Sequence, residues 1–288
     1  MKTFAYHSPT TVAEAVELLN IYKENSAIIA GGTDLVIELN ERLKAPANVI
    51  DISKITELRC IRQDSQIRIG ALNTFTTLEN NNLVRENLPA LYETAIHVGS
   101  PQIRNLGTIG GNVVNASVAG DSPTTLLAHG AQLLLKSAEG ERVMTIEEFN
   151  KGPGRCQIRS DELLTEVCIP TLGKDEAVGY FKIGKRKSLA IVVLAVCVYI
   201  KRTPDNRVGD CRVVFGAVSK HPMRVPELEN ALMNLPLTQE ALNETLPFFT
   251  DAVQAAIPTR PSVVYKREGV RGATKHCFEQ ILSSFEPV

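Results

Sequence analysis

Between residues 10 and 22 the apolar positions Val12, Ala15, Val16 and Leu19 recur at helical spacing behind a Ser8-Pro9-Thr10 start, which predicts an amphipathic helix. The next apolar run, Ala27-Ile28-Ile29-Ala30, is too short for a helix and stops at Gly31-Gly32. A helical pattern then resumes over 33–43, so the local order is strand, glycine turn, helix. Residues 48–52 read as a strand, and 61–71 alternate apolar and polar positions as a half-exposed strand does. A helix is predicted over 83–98, ending at Gly99-Ser100-Pro101, and another over 123–129. Strand patterns recur at 131–136, 166–169, 180–183, 191–200 and 211–218. The last two flank the polar turn Thr203-Pro204-Asp205-Asn206-Arg207, an expected antiparallel pair. From Pro226 onward the pattern is helical, at 227–234, 239–256 and 262–284, and residues 170–175 form the best linker. Strands followed by C-terminal helices predict an α+β chain.

Composition narrows the class. The 288 residues are 44% hydrophobic and 22% charged, as in an ordinary globular protein. With 31 basic against 32 acidic residues the net charge is −1, which gives no electrostatic case for nucleic acid or an anionic membrane. The apolar stretch 189–200 is shorter than the roughly 20 residues of a membrane span and reads as a buried strand. The N-terminus lacks the apolar core of a secretory signal, so a cytoplasmic location is expected. The six cysteines, at 60, 156, 168, 197, 211 and 277, form no CxxC pair. They read as free thiols, with Cys168, Cys197 and Cys211 as small buried hydrophobes. An iron–sulfur cluster needs several clustered thiolates, which this chain does not supply alone.

Two glycine clusters stand out. Gly31-Gly32, between a strand and a helix, lets backbone approach a ligand, and free N–H groups there favour an anionic oxygen such as a phosphate. Neither GxGxxG nor GxxxxGK[ST] occurs, so neither a Rossmann fingerprint nor a P-loop is present. Gly110-Gly111-Asn112 follows some eighty residues later, trailed by small residues up to Gly120-Asp121. Two such pairs suit the two ends of a long dinucleotide, although each alone is also what a tight turn requires. Acid–base or nucleophilic chemistry finds little support. The five histidines are scattered, no HExxH or GxSxG occurs, and His129 in an apolar helical run reads as a satisfied core residue. Asp34, Asp121 and Asp161 sit beside turn residues, where capping is the common job. Lys182 differs from the nearby basic run because it lies inside the apolar stretch Tyr180-Phe181-Lys182-Ile183, where it needs a partner or a ligand.

Taken in order, Ala30-Gly31-Gly32-Thr33-Asp34-Leu35, then 102–112 (QIRNLGTIGGN), then Ala119-Gly120-Asp121, resemble the successive FAD-binding motifs of the flavoprotein subunits of molybdenum hydroxylases. Tyr180-Phe181-Lys182 with Lys185-Arg186-Lys187-Ser188 and Ala190-Ile191 resembles the start of the family's second domain. Within the family the chain looks most similar to stand-alone FAD subunits of bacterial xanthine dehydrogenases, with Phe149-Asn150-Lys151-Gly152-Pro153-Gly154 and the C-terminal helix in support. Nicotinate dehydrogenase subunits are the near rival. Carbon monoxide dehydrogenase subunits usually carry His-Ser where this chain has Thr33-Asp34.

The resemblance implies an FAD-binding domain over 1–172, in two α+β subdomains of about 1–57 and 58–172. A smaller domain over 178–288 is expected to pack a three-stranded antiparallel sheet against helices. Carried over by position, Ala27, Ile28, Ile29, Ala30, Gly31, Gly32, Thr33, Asp34 and Leu35 would wrap the FAD diphosphate through main-chain N–H groups. Thr108, Gly110, Gly111 and Asn112 would line the second flank. Asn115, Gly120 and Asp121 would meet the ribityl or ribose portion, and Leu164 and Lys182 the adenine or ring end. Two positions depart from the pattern: Asn115 stands where a smaller hydroxyl residue is common, and Leu189 where many members have Asp.

The implied function is an electron relay without a catalytic acid or base. Electrons would pass from a molybdopterin subunit, through [2Fe–2S] clusters on another partner, to FAD and on to NAD⁺. Two other classes compete. An independent flavin oxidoreductase of the same fold would need its own substrate pocket, and no histidine on a glycine loop supports one. An assembly protein that had lost its cofactor would not be expected to keep both glycine pairs and Asp121.

Overall fold

The computed structural model describes residues 3–186 and 189–285. Lys187 and Ser188, part of the motif opening the second half, lie outside the described residues. Strand β1 (Ala5–His7) leads into helix α1 (Val12–Tyr22), capped by the Thr11 hydroxyl on the Glu14 N–H. Strand β2 (Ser26–Ile29), helix α2 (Leu35–Asn40) and strand β3 (Asn48–Asp51) follow. The three strands form a parallel sheet in the order β1-β3-β2, which leaves β2 on an edge. Ile50 and Ile28 pack on Ala15, Val16 and Leu19 of α1, the face that the helical spacing selects.

A second sheet is built from β4 (Ile61–Gln63), β5 (Gln66–Gly70), β6 (Gln132–Ser137), β7 (Gly140–Thr145) and, after the small ribbon β8 (Asn150–Gly152) and β9 (Arg155–Cys156), β10 (Leu163–Pro170). Its order is β4-β5-β10-β6-β7. Where one strand is expected over 61–71, a hairpin forms, because Asp64 turns the chain by accepting from the Gln66 N–H. Between β5 and β6 the chain is helical: α3 (Phe75–Glu79), α4 (Asn82–Asn87), α5 (Pro89–His97), α6 (Pro101–Leu106), α7 (Ile109–Asn115) and α8 (Ser122–His129). The single helix expected over 83–98 is divided at Leu88 by Pro89, which starts a new helix. Helix α9 (Ile146–Phe149) begins with a capping box between Thr145 and Glu148.

The rest of the chain forms an antiparallel sheet of β11 (Glu176–Gly184), β12 (Val192–Arg202), β13 (Val208–Gly216) and a two-residue β14 (Met223–Arg224), one short strand more than expected. Helices α10 (Pro226–Leu232), α11 (Gln239–Asn243), α12 (Leu246–Ala256) and α13 (Val263–Phe285) follow. The helix expected over 239–256 is likewise split, near Pro247. Strand alternation gives the sheet two apolar faces. Val196, Val198, Val213 and Phe215 pack with Phe249 and Phe278 of α12 and α13. Val178, Tyr180, Cys197, Tyr199 and Val214 join the core that contains Ile67, Leu91 and Leu126. Cys168, Cys197 and Cys211 are buried free thiols, as expected. Among the described residues no helix is long and apolar enough to cross a membrane, and no cluster of His, Cys, Asp and Glu could hold a metal ion.

Candidate functional site

The first glycine bend leaves the edge strand β2 and enters α2. Ala27 and Ile29 are paired in register with Val49 and Asp51, so the ladder ends just before the bend. Gly32 holds φ +71°, a left-handed backbone that an L side chain rarely adopts. Among the described residues, the main-chain N–H groups of Ala30, Gly31, Gly32, Thr33, Asp34 and Leu35 donate to no protein acceptor; the first amide in line that does is that of Val36, to Gly32 O at 3.2 Å. Six consecutive free donors beside an edge strand are a main-chain cradle for anionic oxygens. A diphosphate fits that donor set, because it offers several acceptors and no donor.

The second bend is built differently. Thr108 is buried and caps α7, its hydroxyl accepting from Gly111 N–H at 3.0 Å. Ile109 N–H donates to Asn73 O, Gly110 N–H to Ala71 O and Asn112 N–H to Thr108 O, at 3.0, 3.0 and 2.9 Å. The helix start is thus fully satisfied by protein. A Cβ on Gly110 would lie 2.6 Å from the Ala71 Cβ and 2.8 Å from its carbonyl oxygen, so this glycine serves close packing of α7 on the chain leaving β5. Free main-chain donors therefore lie at the first bend and not at the start of α7.

The two bends nonetheless meet. A Cβ on Gly31 would overlap the Leu106 carbonyl, so the first bend lies flat against the end of α6, one residue before Gly107. Asn115 Nδ2 donates to Asp34 Oδ1 at 3.0 Å. Asp34 stands at the N-cap of α2 and Asp121 at that of α8, yet neither carboxylate caps its helix. Asn112 Oδ1 accepts from both the N–H and the hydroxyl of Ser122, which fixes Gly120 and Asp121 at the entry of α8.

Lys182, a buried ammonium on β11, has the partner that its setting demands. Its Nζ lies 2.8 Å from Asp121 Oδ1 and donates to His97 O at 2.9 Å. His97 is the last residue of α5 and Asp121 precedes α8, so the cation meets a helix C-terminus and the carboxylate a helix N-terminus, each the favourable end. Burial raises the Asp121 carboxyl above its usual range, and the Lys182 ammonium opposes that shift. Lys182 also lines a cavity of about 540 Å³ together with His97, Pro101, Gln102, Arg104 and Leu189. Arg104 is held by Glu79 at 3.0 Å, and Arg186 donates twice to Leu189 O, at 3.0 and 2.7 Å. Helix α6 connects these parts. Its last residue touches Gly31 and its first two line the cavity, over about 9 Å of helix.

Leu164 is placed otherwise than expected. It lies in the core on β10, opposite Leu135 beside a bulge, and is buried. His129 is a core residue, as expected, but not a satisfied one. Among the described residues neither ring nitrogen has a partner, and burial pushes its pKa down to about 3, which keeps it neutral. Sequence reasoning did not single out the His97 carbonyl or the Arg104–Glu79 pair; the only signal was that Arg104 falls inside the motif 102–112.

Comparison with known proteins adds the following. Residues 2–172 match the model of the FAD binding domain in molybdopterin dehydrogenase, and residues 179–281 that of the CO dehydrogenase flavoprotein C-terminal domain. The chain is 43% identical to the nicotinate dehydrogenase FAD-subunit of Eubacterium barkeri, covering 99% of this chain and 98% of that protein. It is 33% identical to a putative xanthine dehydrogenase FAD-binding subunit of Escherichia coli, covering 84% of each. A chain of the carbon monoxide dehydrogenase from Hydrogenophaga pseudoflava superimposes with a TM-score of 0.88 at 28% identity, over 98% of both chains.

Proposed function

Because this chain belongs to the family of FAD-binding subunits of molybdenum hydroxylases, we propose that it is the electron-relaying flavoprotein of an N-heterocycle dehydrogenase, of the nicotinate kind before the xanthine kind. The observation that carries the relay reading is the run of six free amides from Ala30 to Leu35, laid against the end of α6. These amides are assigned to the FAD diphosphate. Ile28 and the edge of β2 stand behind them, and Thr108, Gly110, Gly111 and Asn112 form a packed wall rather than a second set of donors. Asn115, Gly120 and Asp121 are assigned to the polyol portion, Lys182 and the α5–α6 cavity to the ring end, and Leu164 to the same ligand. When bound, FAD supplies the exchange between one-electron transfer and hydride transfer, and the protein contributes position and field.

In this reading a partner subunit with molybdopterin oxidises the substrate, a [2Fe–2S] partner passes the electrons on, and NAD⁺ takes them from the site on this chain. The substrate is recognised elsewhere, so the choice of nicotinate over xanthine rests on 43% against 33% identity to the two relatives. The test is purification of the chain alone and with its co-purifying subunits. The isolated chain is expected to be yellow, to oxidise NADH with an artificial acceptor, and to hydroxylate neither compound. The assembled complex is expected to turn over nicotinate. A colourless chain that ignores added FAD refutes the relay, and turnover of xanthine but not nicotinate by the complex replaces the substrate assignment.

A further inference from the structure

The cavity beside α6 has an uneven charge lining. Among its described lining residues, Lys182, Arg104 and Arg186 carry positive side chains and none carries a carboxylate. Glu79 neutralises Arg104, and Arg186 is turned onto the Leu189 carbonyl. Lys182 is the buried one of the three, with its side chain 6% exposed. Its carboxylate partner, Asp121, does not line the cavity and acts on it through the ammonium. The pair is also rigid: Lys182 is tied at once to the end of α5 and the start of α8.

Reduction adds electrons to a bound ring, so a fixed cation beside it favours the reduced form and a fixed anion opposes it. In a buried setting one charge several ångströms away is worth enough to move such an equilibrium on the order of tenfold. We propose that the Lys182–Asp121 pair sets the reduction potential of the ring system held in this cavity, with Lys182 raising it and Asp121, as a positioning residue behind the ammonium, holding it down. The inference rests on the assignment of this cavity to the ring end of FAD.

The test is a spectroelectrochemical titration of the full chain carrying FAD. Asp121→Asn keeps the shape of the pair and leaves Lys182 its His97 acceptor. It is expected to shift the balance toward the reduced form about tenfold, which is about 30 mV upward for a two-electron couple. Lys182→Met is expected to shift it downward, but it strands a buried carboxylate and puts folding at risk. The double variant Lys182→Met with Asp121→Asn removes that burden and is expected to lie below Asp121→Asn by a similar amount. A yellow, folded Asp121→Asn whose midpoint does not rise above the parent's, or a double variant whose midpoint does not lie below that of Asp121→Asn, overturns this inference while leaving the FAD assignment intact. A parent chain that takes up no FAD overturns both.

Discussion

The two glycine bends carry similar letters and do opposite work. At Gly31-Gly32 the chain leaves an edge strand, and six amides from Ala30 to Leu35 find no acceptor among the described residues. At Gly110-Gly111 the chain enters α7, and its first four amides go to Asn73 O, Ala71 O and the hydroxyl and carbonyl of Thr108. One bend leaves its amides free, and the other is finished by its own fold. The difference lies in what surrounds each bend. Among the described residues strand β2 has no neighbour on its outer side, whereas α7 starts against the chain leaving β5 and so gains acceptors.

Substitutions at the two bends should therefore separate binding from folding. The largest effect is expected for Gly31→Ala, whose methyl group overlaps the Leu106 carbonyl. Relieving an overlap of this kind costs about 1–3 kcal/mol or more, and the movement displaces the free amides. FAD affinity should fall tenfold or more, read as flavin lost on gel filtration. Gly110→Ala also creates an overlap, with Ala71, but there the expected loss of about 1–3 kcal/mol is of stability. It should appear as a lower denaturant midpoint, while the fraction that folds keeps its flavin. Flavin loss from a fully stable Gly110→Ala protein would break the comparison. Thr108→Ala removes the α7 cap and should cost about 1 kcal/mol of stability, which Thr108→Ser largely restores. The smallest effect is expected for Asn115→Ala. It cuts the 3.0 Å bond to Asp34 that joins the bends at a part-exposed position, worth about 0.5 kcal/mol, and should weaken FAD retention by less than threefold in a competition assay.

Much of this was legible from the letters alone, and what escaped has physical reasons. Helices α1 and α13 and strands β2, β3, β12 and β13 stand within a few residues of their expected places, because their periodicity is set by cores they face on one or both sides. The splits at Leu88 and near Pro247 were readable in principle, since a proline at a first helical turn begins a helix rather than continuing one. Strands β1 and β7 were missed because β1 is only three residues long and β7 is largely exposed, so neither shows a clear apolar pattern. At the site, the position of Lys182 among apolar residues announced a partner, but the identity of that partner depends on tertiary packing that brings α5 and α8 to β11. The same holds for Asp34 and Asp121. Each stands where a capping residue belongs, and only the fold shows that Asn115 and Lys182 claim the carboxylates instead.

The β11–β14 sheet, with apolar residues on both faces, has a mechanical consequence. Although 170–175 reads as a linker, the strand just beyond it gives Val178 and Tyr180 to a core most of whose members come from the first half of the chain. A protease that cut this link would leave a nicked molecule and not two separable products, since each piece would have to bare a sheet face or helix row to water before letting go. Heat or denaturant should melt both halves in a single step, and the C-terminal half expressed by itself should aggregate through that uncovered face.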